Sequence, residues 1–263
     1  MPPASKRVRS FDPARTRAAV LTQYRHVRAA VAELTPEQFA EPTRLGDWMV
    51  RDLAAHLSLV LGSVARNLEL PEPARQELTL DAYPAATSTV AGAVDTLARS
   101  TAAEADAEEL FARAADRVEE ALAGVPDERI VPTRFGAMRL SDFLVTRVVE
   151  LVVHTDDLND AIGPAVPIDG KALAITTRFL ADVLALKAPG GAVEVRVPPY
   201  AVVQCVEGPR HTRGTPPNVV ETDPLTWIRL ATGRTDWAAE LGAATVSASG
   251  ERADLTELLP LLG

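Results

Sequence analysis

The feature that most constrains the fold is a long region with the hydrophobic period of α-helices, from Asp12 to about Gly163. Apolar residues recur there at spacings of three and four, and Pro or Gly falls at the breaks. We therefore predict four long amphipathic helices, over residues 12–34, 48–69, 86–123 and 140–162. Modest connections between helices of this length favour a four-helix bundle.

Local signals refine the ends of these helices. Asp47 can cap the second helix, because its carboxylate can accept backbone N–H groups of the first turn, and Ser141 lies near the start of the fourth. In the long third helix we expect a kink near residues 100–105.

The pattern changes after "GPAVPIDG". A helical stretch at 169–187 precedes "AVEVRVPPYAVVQCVEG", whose two β-rich runs are separated by Pro198 and Pro199 and predict a pair of strands. The remaining predicted elements are helices at 223–232, 235–242 and 254–259 and a strand in "ATVSASG". The fold class expected is thus α+β with two domains, a helical bundle over 12–165 and a small α+β unit over 166–263, preceded by a mobile tail over 1–11.

Charge and cysteine usage exclude several classes of function. The net charge of −9 argues against nucleic-acid and anionic-membrane partners, which require a basic face. Charged residues interrupt every apolar run before it reaches the length of a membrane span, and no apolar run of signal-peptide length follows the cationic start of the sequence, so we expect a cytoplasmic location. The single cysteine, Cys205, excludes an internal disulfide, and its place within a predicted strand favours a structural role.

Two polar residues, Glu150 and His154, interrupt the otherwise apolar start of "VVELVVHTDDL". Residues four apart lie one above the other on a helix, so both side chains can reach a common point. Of the four histidines, His56 is the best placed to add a third ligand, because it lies on the inward side of the second predicted helix. Two imidazoles and one carboxylate suit zinc or a similar divalent ion and leave a coordination position open.

A structural alternative exists for each of these residues. A histidine on an apolar face is often a core residue with a satisfied hydrogen bond, and Glu150 could form an ion pair with Arg147. Asp52, four residues before His56, and Asp157, three after His154, can each accept the second N–H of the neighbouring imidazole. Both could equally be ordinary acids on a helix surface.

A cationic stretch follows the predicted strand pair. Arg210, His211 and Arg213 lie close to Asn218 in "PRHTRGTPPN", which is too polar for a core. Arginine suits the recognition of a carboxylate or phosphate, so this loop is a candidate binding segment for an anionic substrate. Its alternative is an ordinary solvated loop.

Two short motifs resemble the paired signature of the mycothiol-dependent maleylpyruvate isomerase family. "WMVRDLAAHL" is similar to its Trp-x-x-Arg-Asp-Leu-x-x-His stretch, and "VVELVVHTDD" to its Glu-x-x-x-His-x-x-Asp stretch. The resemblance covers about residues 12–165. It implies a DinB-like four-helix bundle in which His56, Glu150 and His154 bind the metal.

The second half resembles a bacterial relative of the sterol carrier protein fold, most clearly over residues 195–234 and 248–260. Proteins that join these two halves are typical of actinobacteria, where mycothiol replaces glutathione. The resemblance implies a metalloenzyme that uses mycothiol or a related thiol on an electrophilic small molecule, as an isomerase or a thiol transferase. The divalent metal expected is zinc. The alternative is a carrier that holds an apolar or lipid-like ligand in its carboxy-terminal domain.

Overall fold

The computed structural model describes residues 9–87, 91–163, 166–212, 214 and 216–262. These residues form two compact units. The first unit spans Pro13–Ile175, and the second contains residues 9–12 together with residues from Thr176 onward.

Helices dominate the first unit, and several more belong to the second. In chain order they are α1 (Pro13–Ala32), α2 (Pro36–Phe39), α3 (Val50–Glu69), α4 (Tyr83–Thr87), α5 (Ala91–Glu104), α6 (Ala107–Leu122), α7 (Leu140–Ile162), α8 (Gly170–Lys187), α9 (Pro224–Ala231) and α10 (Trp237–Gly242).

The first unit is a four-helix bundle of α1, α3, α6 and α7, as the sequence predicts. Helix α3 packs against α5, α6 and α7, while α1 packs against α6 and α7. Helix α7 is buried along most of its length because other helices surround it, and Leu144, Leu151 and Val152 are fully buried. A two-stranded antiparallel ribbon, β1 (Ile130–Val131) with β2 (Met138–Arg139), precedes α7.

The prediction of one helix over 86–123 is wrong, since the chain forms α5 and α6 there. Asp106 lies between them, and its side chain accepts a hydrogen bond from the backbone N–H of Glu109 at 2.8 Å. This cap starts a new helix beside the expected kink. The start of α3 also differs from the prediction, because Met49 and not Asp47 is its N-cap. Ser141 is the second residue of α7, whose N-cap is Arg139.

A four-stranded sheet organises the second unit. Its strands are β3 (Val193–Val197), β4 (Ala201–Cys205), β5 (Val219–Thr222) and β6 (Val246–Ser249), in the spatial order β4-β3-β5-β6. Strands β3 and β4 form the predicted pair across Pro198 and Pro199 and are antiparallel, β5 runs parallel to β3, and β6 is antiparallel to β5. Cys205 is fully buried in β4, in keeping with a structural role.

Helices α9 and α10 confirm two predictions and begin at the caps Asp223 and Asp236. The predicted helix over 254–259 is wrong, because only a short 3-10 turn, Thr256–Leu258, forms there. Asp254 accepts hydrogen bonds from both the backbone N–H and the hydroxyl of Thr256, and this local turn competes with a longer helix.

The two units meet in sequence inside α8, between Ile175 and Thr176. The predicted boundary between residues 165 and 166 stays a prediction, since 164 and 165 lie outside the described residues. Residues 1–8 of the predicted tail also lie outside them, whereas Arg9 forms an ion pair with Asp182 at 2.8 Å. In the described part of the chain, no helix combines the length and the apolar composition that crossing a bilayer requires.

Candidate metal centre

Two packed helices carry the three predicted metal ligands. His56 lies on α3, and Glu150 and His154 lie one turn apart on α7. The packing of α3 against α7 brings His56 to the same point as the two α7 side chains, although 98 positions separate His56 from His154 in the sequence. The cluster that the spacing predicted is therefore present as a structural arrangement.

The geometry of the cluster is tight. Nε2 of His56 and Nε2 of His154 each lie 3.4 Å from Oε2 of Glu150. One ligand atom from each of the three residues lies within 4.8 Å of the other two. The two imidazole rings meet nearly edge to face, with centroids 4.7 Å apart.

These residues fit a divalent metal. Zinc binds histidine nitrogens and carboxylate oxygens at about 2.0–2.2 Å with tetrahedral angles, which places neighbouring ligand atoms about 3.4 Å apart. The two nitrogen-to-oxygen distances of 3.4 Å match that separation. Three protein ligands are the number found in catalytic zinc sites, which keep a fourth position for water or substrate.

A buried carboxylate orients His154. Nδ1 of His154 lies 2.8 Å from Oδ2 of Asp157, a residue with no exposed surface. If Nδ1 donates its proton to this carboxylate, the lone pair of Nε2 is free for a metal. Asp157 is held in turn by Arg44, whose Nε donates to Oδ1 at 2.7 Å, while Nη2 of Arg44 donates to Asp156 at 2.5 Å.

Asp52 has a different role from Asp157. Its Oδ2 accepts a hydrogen bond from the backbone N–H of Met49 at 3.0 Å, so it satisfies a free donor at the start of α3. His56 instead packs against the indole ring of Trp48, with ring centroids 5.3 Å apart. The indole N–H of Trp48 donates to Asp95 on α5 at 2.5 Å, which fixes the orientation of this ring.

Two residues that the sequence did not single out as site residues surround the other oxygen of Glu150. The hydroxyl of Tyr83 donates to Oε1 of Glu150 at 3.1 Å and accepts a hydrogen bond from Nη2 of Arg147, also at 3.1 Å. Arg147 itself lies 4.0 Å from the same Oε1. The ion pair that the sequence offered as an alternative to metal binding is thus present beside the cluster, at the carboxylate oxygen of Glu150 that does not contact the histidines at 3.4 Å.

Burial and neighbouring charges shift the pKa values of the three candidate ligands in different directions. Burial would raise the pKa of Glu150, but hydrogen bonds from His154 and His56 and the charge of Arg147 hold that pKa well below its usual range. Burial would lower the pKa of His154, yet Asp157 and Glu150 raise it. The pKa of His56 is lowered, chiefly by burial. Glu150 is therefore a carboxylate at neutral pH, as a metal ligand must be.

The predicted cationic loop belongs to the second unit. Arg210 is exposed, and Arg213 lies outside the described residues. The backbone carbonyl of His211 accepts a hydrogen bond from Gln204 at 2.8 Å. Asn218 is buried and makes structural contacts, because its amide donates to the carbonyl of Ala192 at 2.8 Å and its Oδ1 accepts from the N–H of Arg252 at 3.0 Å.

Fold and cluster together define a class of protein: a helical bundle with a candidate centre of two histidines and one glutamate, followed by a small α+β unit. Comparison with known families agrees with this class. Residues 20–159 match the family described as the mycothiol maleylpyruvate isomerase N-terminal domain, and residues 169–261 match the family described as the bacterial SCP ortholog. Because the first match spans more than half of the sequence, the chain belongs to the mycothiol maleylpyruvate isomerase family.

Solved structures give the same fold. A crystal structure of the mycothiol-dependent maleylpyruvate isomerase is similar with a TM-score of 0.60 and 14% sequence identity, over 93% of this chain and 95% of that chain. A histidine-to-alanine mutant of that isomerase is similar with a TM-score of 0.61 and the same identity and coverage. At this identity the likeness concerns the fold. No curated protein matches the chain in sequence.

Proposed function

We propose that this protein is a metal-dependent enzyme that uses mycothiol or a similar small thiol on an electrophilic small molecule. The observation that carries the proposal is the cluster of His56, Glu150 and His154, whose ligand atoms lie within 4.8 Å of one another. Membership of a family described by mycothiol and maleylpyruvate isomerase supports the thiol and the class of reaction. The proposed metal is zinc, because nitrogen and carboxylate ligands in this number suit it.

A bound divalent metal would supply Lewis acidity and lower the pKa of a coordinated thiol, so that thiolate is present at neutral pH. The protein residues would hold that metal and orient its ligands. Asp157 keeps Nδ1 of His154 engaged at 2.8 Å, which leaves Nε2 directed toward Glu150. The proposed role of Glu150 is therefore that of a ligand and not of a general base.

The balance of charge around the cluster supports an anionic ligand at the open position. Glu150 is the only carboxylate among the three ligands, so a dication there would keep a net positive charge. Arg147 adds a positive charge at 4.0 Å from Glu150, but Arg44 shares its single positive charge between the carboxylates of Asp156 and Asp157, so one net positive charge remains. A thiolate would neutralise this excess without placing a further uncompensated charge in a largely buried site.

Addition of a thiolate to the substrate can lead to two kinds of product. A thiolate can add to an electrophilic double bond, which allows rotation about the former double bond. Release of the thiol then gives an isomerised product, whereas retention of the thiol gives a conjugate. The enzyme is accordingly proposed as an isomerase or a thiol transferase.

Calorimetric titration with mycothiol tests the proposal. The zinc-loaded protein should bind mycothiol with release of a proton, and the metal-free protein should bind it at least tenfold more weakly. S-methyl mycothiol is the matched control ligand, because it keeps the sugar and amide groups but cannot form a thiolate. Equal affinity for both ligands, or equal affinity with and without zinc, would contradict the proposed role of the thiol.

A second candidate function is supported by the match of residues 169–261 to a bacterial sterol-carrier-like family. In this alternative the protein carries an apolar or lipid-like ligand. Native mass spectrometry of the full-length protein, purified without chelator, separates the two candidates, because a metal, a thiol adduct and a retained lipid differ in mass. Stoichiometric lipid in both the wild type and His154→Ala, with no metal in either, would favour the carrier.

A further inference from the structure

Tyr83 lies beside the candidate centre but is not one of its three ligands. It begins the short helix α4, its side chain is almost fully buried, and its ring packs edge to face on Phe135 with centroids 5.3 Å apart. Its hydroxyl lies between Arg147 and Glu150, at 3.1 Å from an atom of each. A buried hydroxyl with two charged neighbours has a strongly constrained orientation.

The donors and acceptors fix the direction of both hydrogen bonds. Arginine has only donors, so the oxygen of Tyr83 accepts from Arg147. The hydroxyl has a single proton, which is then directed to the carboxylate of Glu150. The chain of hydrogen bonds therefore runs from Arg147 through Tyr83 to Glu150.

The two oxygens of Glu150 consequently have different environments. Oε1 is 3.1 Å from the hydroxyl of Tyr83 and 4.0 Å from Arg147. Oε2 is 3.4 Å from Nε2 of each histidine. Oε2 is thus the oxygen in contact with the imidazole nitrogens, while Oε1 is engaged by a donor.

We propose that Tyr83 is a positioning residue of the metal centre, which keeps Oε1 of Glu150 engaged so that the carboxylate offers a single oxygen, Oε2, to the metal. The consequence is that one coordination position stays open for a thiol. A carboxylate released from Tyr83 could offer both of its oxygens and occupy that position. This inference rests on the proposed function, since it assigns a role toward the same metal.

Tyr24 provides a matched control. It is as deeply buried as Tyr83, and its hydroxyl donates one hydrogen bond, to the carbonyl of Phe111 at 3.2 Å. None of its described contacts involves the ligands of the centre. Tyr83→Phe and Tyr24→Phe therefore each delete one buried hydroxyl, and only the first touches Glu150.

The experiment uses Co²⁺ as the metal, because its visible absorption reports coordination number. Wild type, Tyr83→Phe and Tyr24→Phe are loaded with Co²⁺, and spectra are recorded before and during titration with mycothiol. For Tyr83→Phe we expect a weaker and shifted absorption, as for a higher coordination number, and about a tenfold loss of mycothiol affinity. Tyr24→Phe should keep the wild-type spectrum and affinity, even if its melting temperature falls.

A Tyr83→Phe protein with the wild-type spectrum and the wild-type thiol affinity would overturn the inference. Should that variant fail to fold, Arg147→Lys is used instead, because it removes the planar donor that orients the hydroxyl of Tyr83. The same spectral change is expected for Arg147→Lys, and an unchanged spectrum would overturn the inference. A wild type that takes up no Co²⁺ would overturn the proposed function and the inference together. A wild type that binds Co²⁺ but no thiol would contradict the proposed function alone, and the Tyr83→Phe spectrum would still decide the inference.

Discussion

Nδ1 of His154 lies 2.8 Å from Oδ2 of Asp157, and this carboxylate is completely buried one turn further along the same helix. A carboxylate at that position fixes both the tautomer and the ring orientation of a histidine ligand. It also requires compensation, because an unpaired buried charge costs several kcal/mol. Arg44 provides that compensation through its contact with Oδ1 at 2.7 Å.

Asp157 should therefore affect metal affinity more than Asp52, although sequence spacing alone gave both the same possible role. Asp157→Asn should weaken zinc binding about 10- to 100-fold, because the amide is a poorer acceptor for the proton on Nδ1 of His154. Asp52→Asn should leave zinc affinity close to that of the wild type and reduce helix stability by about 1 kcal/mol or less. Competition titration with a zinc-sensitive dye measures both affinities. An equal loss of zinc affinity in Asp157→Asn and Asp52→Asn would contradict the different roles assigned to the two aspartates.

Removal of Arg44 should lower both the zinc affinity and the unfolding free energy of the protein. In Arg44→Ala two buried carboxylates, Asp156 and Asp157, each lose one ion-pair partner, so we expect a loss of about 3 kcal/mol in unfolding free energy and about tenfold weaker zinc binding. The matched control is Arg17→Ala, which breaks the contact with Asp127 at 2.6 Å in the same unit. That control should lower stability without changing zinc affinity. Denaturant unfolding and zinc titration on both variants test this, and a zinc affinity unchanged in Arg44→Ala would refute it.

The clustering of the three candidate ligands, His56, Glu150 and His154, could be predicted because its constraints are local or few. Glu150 and His154 are four residues apart, so helix geometry alone brings them together. Only three further histidines compete for the third position, and His56 lies on a helix whose apolar side faces the bundle. The helical period and the small number of histidines were therefore sufficient to predict that these three side chains lie together.

Contacts from loops and short helices could not be predicted in the same way. Arg44 reaches Asp157 across 113 positions, and Tyr83 reaches Glu150 across 67. Neither residue lies in a long periodic segment, so no hydrophobic pattern sets the direction of its side chain. The clearest missed signal is Asp106, which is followed three residues later by Glu109 and so marks the start of α6.

Metal removal should change stability without unfolding the protein. The bundle has its own apolar core around α3 and α7, unlike a small zinc-dependent domain that unfolds without its ion. We expect unchanged helical circular dichroism after treatment with chelator. Zinc at 100 times its dissociation constant should add about 2.7 kcal/mol to the unfolding free energy. Loss of helical signal on chelation would contradict an independent core.

The cationic loop supplies a separate prediction, which rests on sequence alone. Arg213→Ala should weaken the binding of a carboxylate-bearing substrate with little change in melting temperature, because arginine pairs with carboxylates through two parallel hydrogen bonds. Arg252→Ala is a suitable control for the loss of one cation in the same unit. Equal affinities of wild type and Arg213→Ala for such a substrate would remove the loop from the proposed binding function.

The most direct test of the central claim is elemental analysis of the protein after refolding with zinc and gel filtration. We expect about one zinc per chain in the wild type, and loss of most of it in His56→Ala and in His154→Ala, because either change leaves two ligands. His26→Ala is the matched control, since its Nδ1 lies 3.1 Å from the carbonyl of Pro167 and contacts no ligand of the centre among the described residues. It should keep its zinc. A wild type without zinc, or a His154→Ala protein that retains it, would contradict the account and leave Glu150 as the ion-pair partner of Arg147.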